Sequence, residues 1–432
     1  MKDDRIRYRE SERNIRRMPA PSIDPDDVGH AALEWLLLQG WSDGSAVRWT
    51  GSPGDLQVDP TLYSGGAGIV LALLEGHRHF GDERYAEAAI QGARGVAGLV
   101  DRWDHSGLYF GLTDMAFALQ SLADTYAVEE LRESARRALD HVRSRFDGVR
   151  WSAQAELLAG NAGIALGALS MGDVELAVTA VTPYLSRAER TPGGVTWETK
   201  AGLASRYHHI SHGTLGIVHA LASTGYAAGR RDLVDLALAG AADVVSRNEA
   251  DDAGFLVPHS DPQHRPELIE RYSYGWCHGP AGDAQTFRLL HSITGGSAWV
   301  LLADRCWHTV THSGLPKRLR PGFWDNSGRC CGTAGVLALA GDRLVERADD
   351  GSFADTLVAD LDARATLDCA GARWSNHEHR VTPSLLEPRT GWAMGNAGII
   401  PELLRYARIR TARDPSYAVA WPDHPAARPS MG

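Results

Sequence analysis

A four-residue glycine motif recurs along this chain and constrains its fold more than any other feature. It reads Gly65-Gly-Ala-Gly68, Gly160-Asn-Ala-Gly163, Gly213-Thr-Leu-Gly216, Gly279-Pro-Ala-Gly282, Gly332-Thr-Ala-Gly335 and Gly395-Asn-Ala-Gly398, with a degraded copy at Gly111-Leu-Thr-Asp114. Each copy opens an apolar run, such as Ile69-Val-Leu-Ala-Leu-Leu74, and amphipathic segments follow, as over 128–146, 231–248 and 353–367. A helix apolar nearly all round must be buried on most sides. The first glycines lie 46 to 66 residues apart, room for two helices per unit, and such hairpins cannot bury their apolar faces alone. Buried inner helices with amphipathic outer ones predict an all-α fold: an α/α toroid, or barrel, of seven helical hairpins. Glycine lets the inner helices start tightly and approach closely. With the copies in phase, the inner N-termini share one end, where their partial positive charges favour anions.

Around this repeat the chain divides simply. Residues 1–24 are charged and read as an N-terminal arm, 25–412 as the toroid, and 413–432, rich in Pro and Ala, as a disordered tail. Asp24-Pro-Asp-Asp27 supplies an N-cap, an early proline and first-turn acids, which predicts a helix over 31–38. The irregular segments 191–208, 252–272, 313–328 and 371–390 are long for loops. They are expected to rim the motif end and to carry Trp197, Phe255, Trp324, Trp374 and Arg389 there. A net charge of −10 with no Lys/Arg-dense face argues against a nucleic-acid partner and leaves a cationic peptide as a more natural guest. No run approaches the ~18 apolar residues of a transmembrane segment, and the first ten residues lack the apolar core of a secretory signal. Five cysteines, three of them inside motifs, do not form a secreted disulfide framework. A cytoplasmic protein is expected.

The residues just ahead of the motif glycines carry the chemistry. They are Ser211-His212, Cys277-His278 and Cys330-Cys331 in three consecutive copies, and equivalent repeat positions converge in space. Adjacent cysteines rarely fit disulfide geometry. Cys277, Cys330 and Cys331 at a polar mouth therefore describe a zinc site of three thiolates with an open fourth position. Cys306 and Cys369 read as packing residues. A sulfur-rich zinc is a poor activator of water and a good holder of a reactive thiolate, which favours sulfur addition over hydrolysis. His212, in phase with both cysteine motifs, is the acid/base candidate. His278 is a second acid/base group, a substrate contact or a further ligand; spacing leaves all three open. Glu156, four residues ahead of Gly160, is either a mouth-facing or an exposed carboxylate. His208, His209 and the 377–379 cluster read as loop residues. A Walker A motif and a His-Glu-x-x-His pair are both missing, which excludes the usual nucleotide-hydrolase and metalloprotease patterns.

At these residues the chain resembles the LanC-like lanthionine synthetases, over about 62–405. The Gly-x-x-Gly hairpins carry the likeness, with Ser211-His212-Gly213, Trp276-Cys277-His278-Gly279 and Cys330-Cys331-Gly332. The resemblance implies an α/α toroid with one zinc that cyclises a dehydrated ribosomal peptide. A cysteine thiolate adds to dehydroalanine or dehydrobutyrine and closes a thioether ring. It implies Cys277 and Cys330 as ligands and Cys331 in the place usually held by His. It also implies His212 as the active-site His and Glu156 where an Asp is usual. Two departures touch proton transfer: His278 stands where Tyr is frequent and Ser273 where Arg is frequent. A separate dehydratase is expected. The alternatives are addition of glutathione or another small thiol to dehydroamino acids, or a non-catalytic metal-stabilised peptide-binding scaffold in a biosynthetic complex.

Overall fold

The computed structural model describes residues 24–317, 326–378 and 381–425. The expected N-terminal arm up to residue 23, Trp324, His379 and the chain from 426 onward lie outside them. Among the described residues fifteen α-helices follow one another. They are α1 (Pro25–Gln39), α2 (Gly66–Phe80), α3 (Glu83–Ala97), α4 (Leu112–Tyr126), α5 (Glu129–Ser144), α6 (Asn161–Ser170), α7 (Val174–Val181) and α8 (Pro183–Arg187). Then come α9 (Thr214–Ala227), α10 (Arg231–Val245), α11 (Pro280–Thr294), α12 (Ser297–His312), α13 (Thr333–Arg347), α14 (Ser352–Arg364) and α15 (Asn396–Arg410). Helices α2, α4, α6, α9, α11, α13 and α15 form an inner ring, each against the next, and α15 packs back on α2. The other helices lie outside. Among the described residues no outer helix follows the seventh inner helix, α15, and α1 takes that place from the opposite side of the sequence. The expected seven-hairpin toroid is the architecture found.

The motif works through the loop that precedes it. In six of the seven inner helices the preceding loop curls back over the first turn, so that first-turn N–H groups donate to carbonyls seven residues earlier: Gly66 to Asp59, Leu112 to His105, Ala162 to Ala155, Leu215 to His208, Thr333 to Asn326 and Asn396 to Arg389; α11 instead begins at Pro280, which has no N–H. These are the orphan donors of a helix start, and they are already used within the protein. The glycines are needed because carbonyls of the same loops sit against them. A Cβ on Gly163 would lie 1.9 Å from the Leu157 carbonyl, and one on Gly282 1.9 Å from that of Trp276. In the degraded copy Asp114 bends back and accepts from the Gly111 N–H at 2.7 Å.

The loops then join into a belt. The residue two places before each first glycine donates its N–H to the carbonyl of its counterpart in the next repeat: Tyr63 to Tyr109 at 3.0 Å, Tyr109 to Leu158 at 2.9 Å, Ser211 to Cys277 at 3.3 Å, Cys277 to Cys330 at 3.2 Å, Cys330 to Ala393 at 2.9 Å and Ala393 to Tyr63 at 2.9 Å. The belt is interrupted once, between Leu158 and Ser211. There the Leu158 N–H donates to Glu156 Oε2 at 2.7 Å.

Among the described residues the loops also carry four antiparallel two-stranded ladders absent from the all-α reading. These are β1 (Trp41–Asp43) with β2 (Ala46–Arg48), β3 (Glu189–Thr191) with β4 (Gly194–Thr196), β5 (Arg206–Tyr207) with β6 (Ser260–Asp261), and β7 (Thr366–Asp368) with β8 (Gly371–Arg373). After the hairpins come Trp49, Trp197 and Trp374, whose indole N–H groups donate to the carbonyls of Leu36, Tyr184 and Leu361, thirteen residues back in each case. Trp197 and Trp374, expected at the rim, are thus buried staples, and Phe255 is buried as well. Each indole satisfies a carbonyl near the end of an outer helix while its ring fills the core.

Residues 413–425, expected to be disordered, pack against the barrel. Tyr417 donates to Glu402 at 2.7 Å, Trp276 Nε1 donates to Asp423 at 3.1 Å, and the Trp421 ring sits 6.0 Å from that of Trp392. Aromatic burial and buried acceptors outweigh the Pro/Ala composition. Gly163→Ala should lower unfolding stability by about 2–4 kcal/mol, the scale of overpacking against an unyielding backbone. Gly172→Ala, at φ 78° with open space around it, should cost about 1 kcal/mol. Chemical denaturation of both variants checks this.

Candidate metal centre

Two neighbouring links of the belt bring the cysteines together. Cys277 and Cys330 occupy the belt position of their repeats and Cys331 follows the second. Cys331 Sγ lies 3.2 Å from Cys277 Sγ and 3.4 Å from Cys330 Sγ. Among the described residues these three form the cluster that could hold a metal ion, with all three sulfurs within 4.8 Å of one another. None is in a disulfide. Cys277 and Cys330 are buried, and Cys331 is half-buried at the mouth. Cys306 is buried on α12 and Cys369 is exposed, both outside the cluster.

Three buried thiols this close cannot all ionise unaided. Hydrogen bonding with Cys330 and Cys331, followed by burial, pushes the Cys277 thiol well up. Cys331 is held well down, chiefly by hydrogen bonding with Cys277 and Cys330. A bound cation would let all three sulfurs ionise. Sulfurs on one tetrahedral zinc stand ~3.8 Å apart, given Zn–S of ~2.3 Å, so the cluster fits with a few tenths of an ångström of spreading. Tyr63, which sequence reasoning missed, points its hydroxyl at Cys330 Sγ from 3.7 Å. It occupies the same belt position in the first repeat, and that phase was the signal for it.

Beside the cluster stands a carboxylate–imidazole pair. Glu156 is buried, accepting from the N–H groups of Leu158 and Ala159 at 2.7 and 3.0 Å. Its Oε2 also lies 3.2 Å from His212 Nδ1. Sequence left open whether Glu156 is exposed; it fills the break in the belt. The His212 side chain remains 41% exposed. Burial alone would push its imidazole down, but the Glu156 charge and hydrogen bond carry it above its ordinary value, with help from Cys331.

The remaining histidines form a layer behind this pair. His278 stacks on His212 at 5.3 Å and on His259 at 4.6 Å. Burial, then the charges of His259, His212 and His209, hold His278 well below its usual range. His259 arrives through the β5–β6 pairing, which no local sequence signal announces. His208 and His209, taken as loop residues, are fully buried. His209 Nδ1 meets Asp283 at 2.8 Å on α11, and burial drives His208 down to about 3. Arg271 is exposed and turned away to Glu249 and Tyr272.

A mouth built from glycine-started inner helices and a three-cysteine cluster defines an α/α-toroid protein with a candidate thiolate metal site. The sequence profile described as "Lanthionine synthetase C-like protein" matches residues 57–268 and 263–350, and the chain belongs to that family. Among solved structures it is similar to a nisin cyclase, with 14% identity, a TM-score of 0.60, and coverage of 85% of this chain and 92% of that one. It is also similar to an unsaturated glucuronyl hydrolase specific for heparin, with 14% identity, a TM-score of 0.50, and coverage of 90% and 98%. At these identities the likenesses show the shared toroid alone. No curated protein sequence matches the chain. Among the described residues no helix is long and apolar enough to cross a membrane.

Glu156→Gln should lower the His212 pKa, since the charge that raises it is gone while burial remains. An NMR titration of labelled histidine reads this directly. An unchanged His212 titration would contradict the pairing.

Proposed function

We propose that the protein is a zinc-dependent lanthionine synthetase that adds peptide cysteine thiolates to dehydroalanine or dehydrobutyrine, closing (methyl)lanthionine rings. The observation that carries this reading is the Glu156–His212 pair standing beside three convergent cysteine sulfurs. Family membership and the toroid shared with a nisin cyclase support it. Cys277, Cys330 and Cys331 would hold the zinc, whose charge would keep a substrate thiol ionised at neutral pH.

The chain's own residues then account for the protons. Addition forms a carbon–sulfur bond at the β-carbon and sends the π electrons toward the carbonyl as an enolate, which takes one proton at the α-carbon. The thiol loses one proton, so the sum is an isomerisation with nothing released. His212 is the donor in this reading: Glu156 holds Nδ1, leaving Nε2 as the nitrogen free to face a substrate. Its raised pKa keeps a protonated fraction near neutrality, which is what a general acid requires. Because the acid form is needed, activity should fall as pH rises through that pKa. His278 stacks over His212 and would contact substrate. The peptide must arrive already dehydrated, so a separate dehydratase acts before this protein.

His212→Asn should retain metal and peptide binding yet lose cyclisation by ~10²-fold or more, read as ring count and solvent deuterium uptake by mass spectrometry on a dehydrated precursor. His278→Phe should cost less. Near-normal rates in His212→Asn with a dead His278→Phe would reverse the two roles. Cys330→Ala should lose most of the zinc by metal analysis with helicity kept, and full zinc retention would sink the ligand assignment.

A further inference from the structure

Arg389 lies in the irregular segment between β8 and α15, and its backbone is fixed from both sides. Its carbonyl accepts from the Asn396 N–H at 3.1 Å, while Thr390 donates from N–H to Gly51 at 3.1 Å and from Oγ1 to Thr50 at 2.7 Å. Its guanidinium has no hydrogen-bond or ion-pair partner among the described residues. Glu387, the nearest acid in sequence, turns away and accepts from the Gly54 N–H at 3.0 Å. The buried arginines elsewhere behave differently, Arg288 facing Asp342 and Arg329 facing Glu402.

The unpaired guanidinium is half-buried and lines a cleft of about 200 Å³ with Tyr63, Ser64, Asn376, Leu386 and Met394. Tyr63 is a wall shared with the cysteine cluster, its hydroxyl 3.7 Å from Cys330 Sγ. Asn376 is committed at both ends, accepting from the Ser327 N–H at 3.0 Å and donating to the Met394 carbonyl at 2.6 Å. Among the described lining residues, Arg389 is therefore the charge left for a ligand. A guanidinium on a fixed backbone, in a partly dry cleft of side-chain size, suits a carboxylate, which it can grip with two parallel hydrogen bonds.

We propose that this cleft is a subsite for a carboxylate of the peptide substrate, held by Arg389 while the peptide's cysteine lies at the thiol cluster. The assignment rests on the peptide-cyclase reading above and adds a specificity-determining residue to it. The carboxylate belongs either to an Asp or Glu near the reacting cysteine or to the peptide's C-terminus.

The test uses the zinc-loaded full chain and short cysteine peptides with an acid one to four residues from the cysteine on either side. In one arm each Glu peptide is paired with its Gln twin, both C-terminally amidated. In the other arm a free C-terminal acid is paired with its amide. Dissociation constants are measured by equilibrium dialysis, with a serine twin of every peptide as the thiol control. At least one acid peptide should bind about tenfold tighter than its neutral twin, the scale of a charge-assisted hydrogen bond. That advantage should vanish in Arg389→Leu and partly return in Arg389→Lys, with zinc content unchanged in both. Equal affinities across all acid and neutral pairs, or an advantage that persists in Arg389→Leu, would overturn the subsite alone. Failure of every cysteine peptide to outbind its serine twin on the loaded protein would overturn the cyclase reading and the subsite together.

Discussion

The belt of backbone hydrogen bonds at the mouth is the constraint on which the site depends. Inner helices could pack into a ring with their ends at uneven heights, and the residues ahead of them would then be scattered along the axis. Bonds from Tyr63 to Tyr109, Cys277 to Cys330 and Cys330 to Ala393 hold them at one level. Because the donors and acceptors are main-chain groups, the side chain at each position is free to vary. One belt therefore carries tyrosine, leucine, serine, cysteine and alanine, and chemistry can be installed without disturbing the scaffold.

The single interruption is as informative as the bonds. Between Leu158 and Ser211 the belt gives way to the Glu156 carboxylate, which accepts the Leu158 N–H and faces His212 as well. A buried carboxylate is costly unless its lone pairs are used, and here two backbone donors and an imidazole use them. The same group therefore closes a structural gap and favours the protonated form of the neighbouring ring.

Periodicity made most of this legible from sequence. Seven glycine motifs with apolar runs behind them were enough for the toroid, and phase alone placed Cys277, Cys330, Cys331 and His212 at one mouth. What escaped were relations that no repeat encodes. Tyr63 was in phase but carries no obvious metal chemistry, so nothing drew attention to it. His259 reaches the site only through a two-residue ladder between distant loops. Trp197 and Trp374 looked like rim aromatics because composition says nothing about an indole N–H finding a carbonyl thirteen residues back. The segment 413–425 is proline-rich, yet Trp421 packs on Trp392 and Asp423 accepts from the Trp276 indole, a match between separate parts of the chain that no local pattern reveals.

The pairing of α1 with α15 has a consequence for how the protein comes into being. A ribosome releases the first of these helices some 370 residues before the second, so during synthesis the ring stands open at one seam. The Ala393–Tyr63 bond crosses that seam and lies next to Cys330 in the belt. The ring therefore closes at this seam only after translation has passed α15. Until then the mouth on which the cysteines sit is a ring with one link of its belt still unmade.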